Sequence, residues 1–420
     1  MVPKGVATFL PEGAARRRTI EKTLLTLFGQ WGYQEVITPL FEYLDVLSMG
    51  VGEELLNRAF KFVDRSSGRM MVLRPDVTSQ IARMAATLLS QNPLPLRLCY
   101  SANVLRHEEE HAGRDREIFQ MGVECIGIEG VEADAEIVTI AIEALNRLGL
   151  KEFKIAIGHM GFFRGLLEGL EGDPAITTAV LHAVARKEQA ELERLLLRAK
   201  VPPKTRSVLL ELPNLFGGEE VLREANRLTR QATCQNALRQ IKIIFDTIRG
   251  AGYGSALLVD LGEVRRFDYY TGMVFEIFVD GMGYELGGGG RYDQLVERFG
   301  HAVASTGFAL HIERLQTFLD KNGFREDYYA ADLLLAYPVS GRADALRIAQ
   351  GLRREGYRVI SHCGLKSIEE QILKAQQMRA KHLAVYGGQS SRNLLWIDLK
   401  SRAKSRLNSE ELANALAKSR

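Results

Sequence analysis

Three short stretches of this 420-residue chain carry polar side chains in arrangements that could hold a small polar ligand. In EIFQMGVECI, residues 117–126, Phe119, Met121, Val123 and Cys125 alternate with Gln120, Gly122 and Glu124. That is the period-two pattern of a strand with one apolar and one polar face. Gly122 leaves room over the sheet, so Gln120 and Glu124 could bracket a ligand lying on its floor. A surface strand with its polar face in water reads the same way. Arg106, at the end of the stretch 96–106, adds a fixed positive charge with planar donors suited to a carboxylate or phosphate. In DYYTGMVF, Tyr270, Gly272 and Val274 share one face of an extended segment, with Tyr269, Thr271, Met273 and Phe275 on the other. A phenol beside the gap at Gly272 could hold the polar edge of a flat ligand; a core tyrosine pair with a bulge glycine is the alternative. In LRPDVT, Asp76 and Thr78 stand at the approach to a helix, where they could cap exposed N–H groups or touch a ligand.

The elements that must position these residues follow from periodicity. A helix after Pro11 has Ile20, Leu24, Phe28 and Trp31 on one face and ends at Gly32, with Arg16, Arg17 and Arg18 read as a solvated face. Residues 35–38 alternate like a strand, and a helix after LRPDVT buries Ile81, Met84 or Ala85, and Leu88. Residues 96–106 and 117–126 are two strands joined by a charged loop. A strand at 153–158 precedes a mostly helical section, about 160–252, without a chemical motif; strands resume at 256–260. Four glycines, Gly287–Gly290, then run into a predicted helix with the stripe Tyr292, Leu295, Val296 and Phe299. The glycines could cradle a phosphate or allow close packing in a twisted sheet. They lack the lysine of a P-loop and the context of a dinucleotide fold. A linker near 321–331 leads to alternating strands and helices at 331–420, a compact α/β domain.

Composition narrows the class. Hydrophobic residues make up 46%, charged residues 25%, and the net charge is +3, which predicts no strong attraction to nucleic acid or membrane for the whole chain. The α/β tail has 16 Lys and Arg against 8 Asp and Glu, so RNA phosphates are a conceivable partner there, as is simple solvation. Cys99, Cys125, Cys234 and Cys363 are widely spaced, which argues against a disulfide framework or a structural metal site. No apolar run approaches the ~20 residues of a spanning helix and the N-terminus lacks a signal-peptide core, so a cytoplasmic protein is expected.

Taken together, LPEGA, the WGY…TP segment, LRPDVT, RHE…GRDREIFQMGVE, VRRFDYYTG, GGGGRYD and GFALHIERL resemble histidyl-tRNA synthetase and its non-synthetase relatives over nearly the whole chain. The resemblance implies an α+β fold. It comprises a class II aminoacyl-tRNA synthetase-like antiparallel sheet core over 1–322 with a helical insertion, and an anticodon-binding-like α/β domain over 331–420. Within that family, RPDVTSQIAR looks like the regulatory subunits of ATP phosphoribosyltransferase. Asp76 stands where the synthetase has a glutamate, and Arg266 and His311 stand where it has glycines. The last of those glycines lies under the ATP adenine, so His311 is expected to obstruct the nucleotide, and His311→Gly to leave histidine affinity alone. Glu108 and Arg314 are retained, leaving a degenerate ATP site of Glu108, His311 and Arg314.

By resemblance, Asp76, Thr78 and Gln120 hold the α-amino group of L-histidine, and Arg106 and Arg265 face its carboxylate. Glu124 and Tyr270 bind the two imidazole nitrogens, with Tyr269 beside them. A neutral imidazole offers one donor and one acceptor, which a carboxyl and a phenol can pair. The implied protein is a non-catalytic, histidine-sensing subunit, without cofactor or metal. It would be a homodimer in a hetero-oligomer with a short-form ATP phosphoribosyltransferase catalytic subunit. An active histidyl-tRNA synthetase is the alternative.

Overall fold

The computed structural model describes residues 2–107, 116–168, 174–263, 269–322, 328–364, 367–387 and 394–418. Two compact units divide the chain, Met1–Phe324 and Arg325–Arg420.

The first unit is organised by the two ten-residue strands Leu96–Leu105 and Glu117–Ile126, antiparallel along their full length from Leu96 opposite Ile126 to Leu105 opposite Glu117. Antiparallel neighbours then follow outward from Glu117–Ile126: Ser305–His311, Gly287–Arg291, Met273–Phe278 and Lys154–His159. Gln34–Glu35 and Leu257–Asp260 add parallel pairs at either side, so the nine-stranded sheet is mixed rather than wholly antiparallel. One face is covered by the helices Pro11–Gln30 and Val131–Arg147. There Phe28 meets Phe308 edge-on at 6.2 Å, and Phe308 meets Phe275 at 6.2 Å. Because side chains alternate across a strand, burying Val123 and Phe308 beneath the helices turns Glu124 and Gly307 to the other face. The stretch from Met160–Leu167 to Ala232–Gly250 is mostly helical and shares one continuous apolar core with the sheet.

Of the two readings open for the four glycines, close packing in the sheet is the one observed: they form a central strand whose neighbours' backbone would collide with a Cβ at 287, 289 or 290. Other local expectations are corrected. Turns and the single 3₁₀ turn Glu297–Phe299 follow this strand instead of a full helix. Helix Thr78–Ala86 ends before Leu88, which is exposed. Arg17 is not a solvated residue. It stacks on Phe119 at 3.9 Å and reaches Glu313 at 3.5 Å, while Arg16 reaches Asp320 at 3.4 Å.

The second unit is a five-stranded sheet in the order Val359–Cys363, Ala331–Tyr337, Ala380–Tyr386, Leu394–Asp398, Lys404–Leu407. Its first three strands are parallel and the rest antiparallel. Apolar clusters lie on both faces. Among the described residues no helix is long and apolar enough to cross a membrane.

Candidate functional site

Cross-strand register builds the floor of the site from small residues. Glu124 lies opposite Gly307, which lies opposite Gly290; Gly122 lies opposite Ala309, which lies opposite Gly288; Gln120 lies opposite His311. Gly307 is demanded by Glu124. A Cβ at position 307 would overlap the Oε2 of Glu124, so any larger residue would expel the carboxyl from its place.

Glu124 is 1% exposed. Its Oε1 accepts from the Thr78 hydroxyl at 2.8 Å and its Oε2 accepts from the Tyr292 phenol. Burial disfavours the carboxylate and pushes its pKa up to about 8. The bonds from Tyr292 and Thr78 oppose that rise, and the nearby charge of Asp76 adds to it. Asp76 is also raised by burial, with Arg106 pulling the other way. Arg106 is buried, donates from Nε to the Pro75 carbonyl at 2.8 Å, and interacts electrostatically with Asp76 and Tyr269. The phenols of Tyr100, Tyr269 and Tyr292 all lie well above their ordinary pKa through burial, so each stays protonated at neutral pH.

Tyr269 and Tyr270 precede the strand Met273–Phe278 rather than lying in it. Their rings are 4.8 Å apart, and Tyr269 meets Tyr292 edge-on at 5.8 Å. The Tyr270 carbonyl accepts from Arg164 at 2.7 Å. Asp76, Thr78, Arg106, Glu124, Tyr269 and Tyr270 thus converge with Tyr100 and Tyr292 around the polar face of the Glu124 strand. Gln120 stands on the same face, 3% exposed, with its Nε2 3.3 Å from the His311 Nε2. No donor among the described residues reaches the Gln120 Oε1. Arg265 and Glu108 lie outside the described residues.

The gaps expected from the glycines are filled. Over Gly122 stands the Tyr100 hydroxyl, 2.7 Å from where a Cβ would be, and Gly272 is covered by the Arg291 side chain at 2.9 Å. Tyr100 and Tyr292 are the two residues that sequence reasoning missed. Tyr100 has a signal only in its register opposite Gly122, and Tyr292 was assigned to a helix stripe that does not form. Of the two open helix-cap readings, Asp76 does accept from the Ser79 N–H at 3.3 Å, whereas Thr78 spends its hydroxyl on Glu124.

The residues of GFALHIER are tied up within the chain. Glu313 accepts from the Phe119 N–H at 2.9 Å. Arg314 donates to the Glu285 carbonyl at 2.7 Å and to its Oε1 at 2.6 Å, and lies 4.9 Å from the Tyr284 ring centre. His311 contacts Gln120, a residue expected on the amino-group side of the site.

A family profile described as histidyl-tRNA synthetase matches residues 5–315. A Geobacter sulfurreducens protein named ATP phosphoribosyltransferase regulatory subunit is 41% identical over 387 residues, covering 92% of this chain and 88% of that protein. A crystal structure from Bacillus halodurans, described as an ATP phosphoribosyltransferase regulatory subunit/histidyl-tRNA synthetase, matches with a TM-score of 0.80 at 29% identity, over 92% of this chain and 97% of that one. Histidyl-tRNA synthetase from Nostoc sp. PCC 7120 shares the fold, with a TM-score of 0.85 at 19% identity over 100% of this chain and 99% of that one.

Proposed function

The chain belongs to the histidyl-tRNA synthetase family, in its branch of ATP phosphoribosyltransferase regulatory subunits, and from that premise we propose that it binds L-histidine without activating it. Its occupancy then regulates a short-form ATP phosphoribosyltransferase catalytic subunit at the first step of histidine biosynthesis. The observation that carries this reading is Glu124, a buried carboxyl poised near neutrality above a floor of glycines and held by Thr78 and Tyr292. Such a group can meet an imidazole either as an acid facing the bare ring nitrogen or as a carboxylate facing the N–H. Tyr270 is assigned the other ring nitrogen, with Tyr269 packed beside it. Arg106, together with Arg265, is assigned the ligand carboxylate, and Asp76, Thr78 and Gln120 its ammonium. The open acceptor at Gln120 Oε1 supports that last assignment, because a buried carbonyl oxygen without a donor costs ~1–3 kcal/mol until a ligand supplies one.

Binding without adenylation is supported by the same segment that would serve ATP. Arg314 is engaged by Glu285, and an imidazole at position 311 fills space that the family leaves to glycine. Regulation then requires that histidine prefer one conformation of the assembly, since a ligand with equal affinity for both shifts nothing. A homodimer within that assembly is supported by uncovered apolar surface around the small sheet Phe41–Tyr43, Met70–Leu73, Lys61–Val63. Ile37 is 91% exposed and Phe41 47%, with Phe41 and Phe62 packed edge-to-face at 5.8 Å.

The test is histidine-dependent ATP–pyrophosphate exchange alongside calorimetric histidine titration and a phosphoribosyltransferase assay with a short catalytic subunit. Histidine binding, no exchange and histidine-sensitive activation of the catalytic subunit are the expected set. Robust exchange would make the chain an active synthetase instead.

A further inference from the structure

The contact between His311 and Gln120 has a chemical direction. The two residues face each other across adjacent strands, and both are buried. An amide nitrogen has only hydrogens to give, so in this orientation the amide, 3.3 Å away, pairs with the His311 Nε2 in the tautomer that carries its proton on Nδ1. That bond decides which end of the amide points where. With Nε2 turned to His311, the Oε1 of Gln120 is turned away from it, and no donor among the described residues meets that oxygen. Along the same strand face stand Gly122 and, four residues away, Glu124. Reversing the amide would aim an N–H pair where the oxygen now stands. A cationic ammonium would then meet donors instead of an acceptor.

We propose that His311 is a positioning residue that locks the Gln120 amide with its oxygen toward the ligand's α-ammonium, making the site selective for an amino acid over its deaminated analogue. This rests on the reading of the pocket as a histidine site. The imidazole at position 311 therefore has a task in the binding protein beyond obstructing a nucleotide.

The experiment titrates the full-length chain with L-histidine and with 3-(imidazol-4-yl)propionate, which lacks only the amino group. Wild type, His311→Leu and His311→Gln are compared, with thermal melting to report folding. Wild type is expected to prefer histidine by about tenfold or more, the range of a hydrogen bond to a charged group. His311→Leu, which cannot accept, should reduce that preference by about threefold or more, the share that the Gln120 oxygen adds to Asp76 and Thr78, while binding the propionate nearly as wild type does. His311→Gln, whose own carbonyl can accept from Gln120, should restore part of it. If the leucine variant does not fold, His311→Met removes the strong acceptor at similar length and takes its place. A wild-type preference retained in the folded leucine or methionine variant overturns the proposal. Failure of wild type to bind either compound overturns the pocket reading itself, which is a different result.

Discussion

Glu124→Gln is the most informative substitution, because it separates the titration of Glu124 from its shape. The carboxyl rises from 4.5 to about 8 on folding, chiefly through burial. The folded protein therefore binds this proton more tightly than the unfolded chain. The associated stability is fully present below pH 4.5 and is lost as pH climbs through about 8. At about 1.4 kcal/mol per pH unit, the loss over that interval amounts to roughly 5 kcal/mol at most. Glutamine keeps the size and one acceptor but does not titrate. Against it stands the replacement of one accepting oxygen by a donor between Thr78 and Tyr292, at ~1–2 kcal/mol. The variant should thus be slightly less stable than wild type near pH 5 and more stable by several kcal/mol near pH 8.5. Urea unfolding of both proteins at intervals across that range measures the difference directly. A stability difference that does not change with pH would refute the idea that Glu124 is a buried, proton-holding carboxyl. In the same samples histidine affinity should fall by ~1–3 kcal/mol, from one poorly paired group against the imidazole.

Three further outcomes follow from the geometry. Gly307→Ala should abolish calorimetric histidine binding and cost ~1–3 kcal/mol of stability, since its methyl group competes with the Glu124 carboxyl for one space. Tyr292→Phe removes a hydroxyl that holds Glu124, so denaturant unfolding at pH 8 should show a loss of ~1–3 kcal/mol, and the Glu124 titration should move higher still. In the second unit, His382 is buried, stacked on Trp396 at 4.5 Å, with Asp398 Oδ2 3.3 Å from its Nδ1, and burial holds its pKa below 6.5. Stability from the neutral ring is complete above 6.5 and declines as pH falls below it. Tryptophan fluorescence should report that loss, and His382→Phe should flatten it.

The alternation of Gln120, Gly122 and Glu124 with apolar neighbours marked the polar face of a strand, and the ordered motifs identified the family and its α+β fold. Both are legible in one dimension, because strand periodicity is set by neighbouring residues and motifs are contiguous. The glycine run stayed open between two readings for the complementary reason. Gly287–Gly290 has no side chains to pattern, so only its pairing with Ser305–His311 and Met273–Phe278 shows it to be a strand. The gaps beside Gly122 and Gly272 were closed by Tyr100 and Arg291, residues 22 and 19 positions away. Likewise Thr78 and Tyr292 reach Glu124 across separations of 46 and 168 residues. Residue type and spacing determined which side chains could do chemistry and on which face of a strand they stand. Which of them touch, which space is open, and the high pKa of Glu124 were decided by tertiary structure, since cross-strand register and desolvation depend on distant segments packing together.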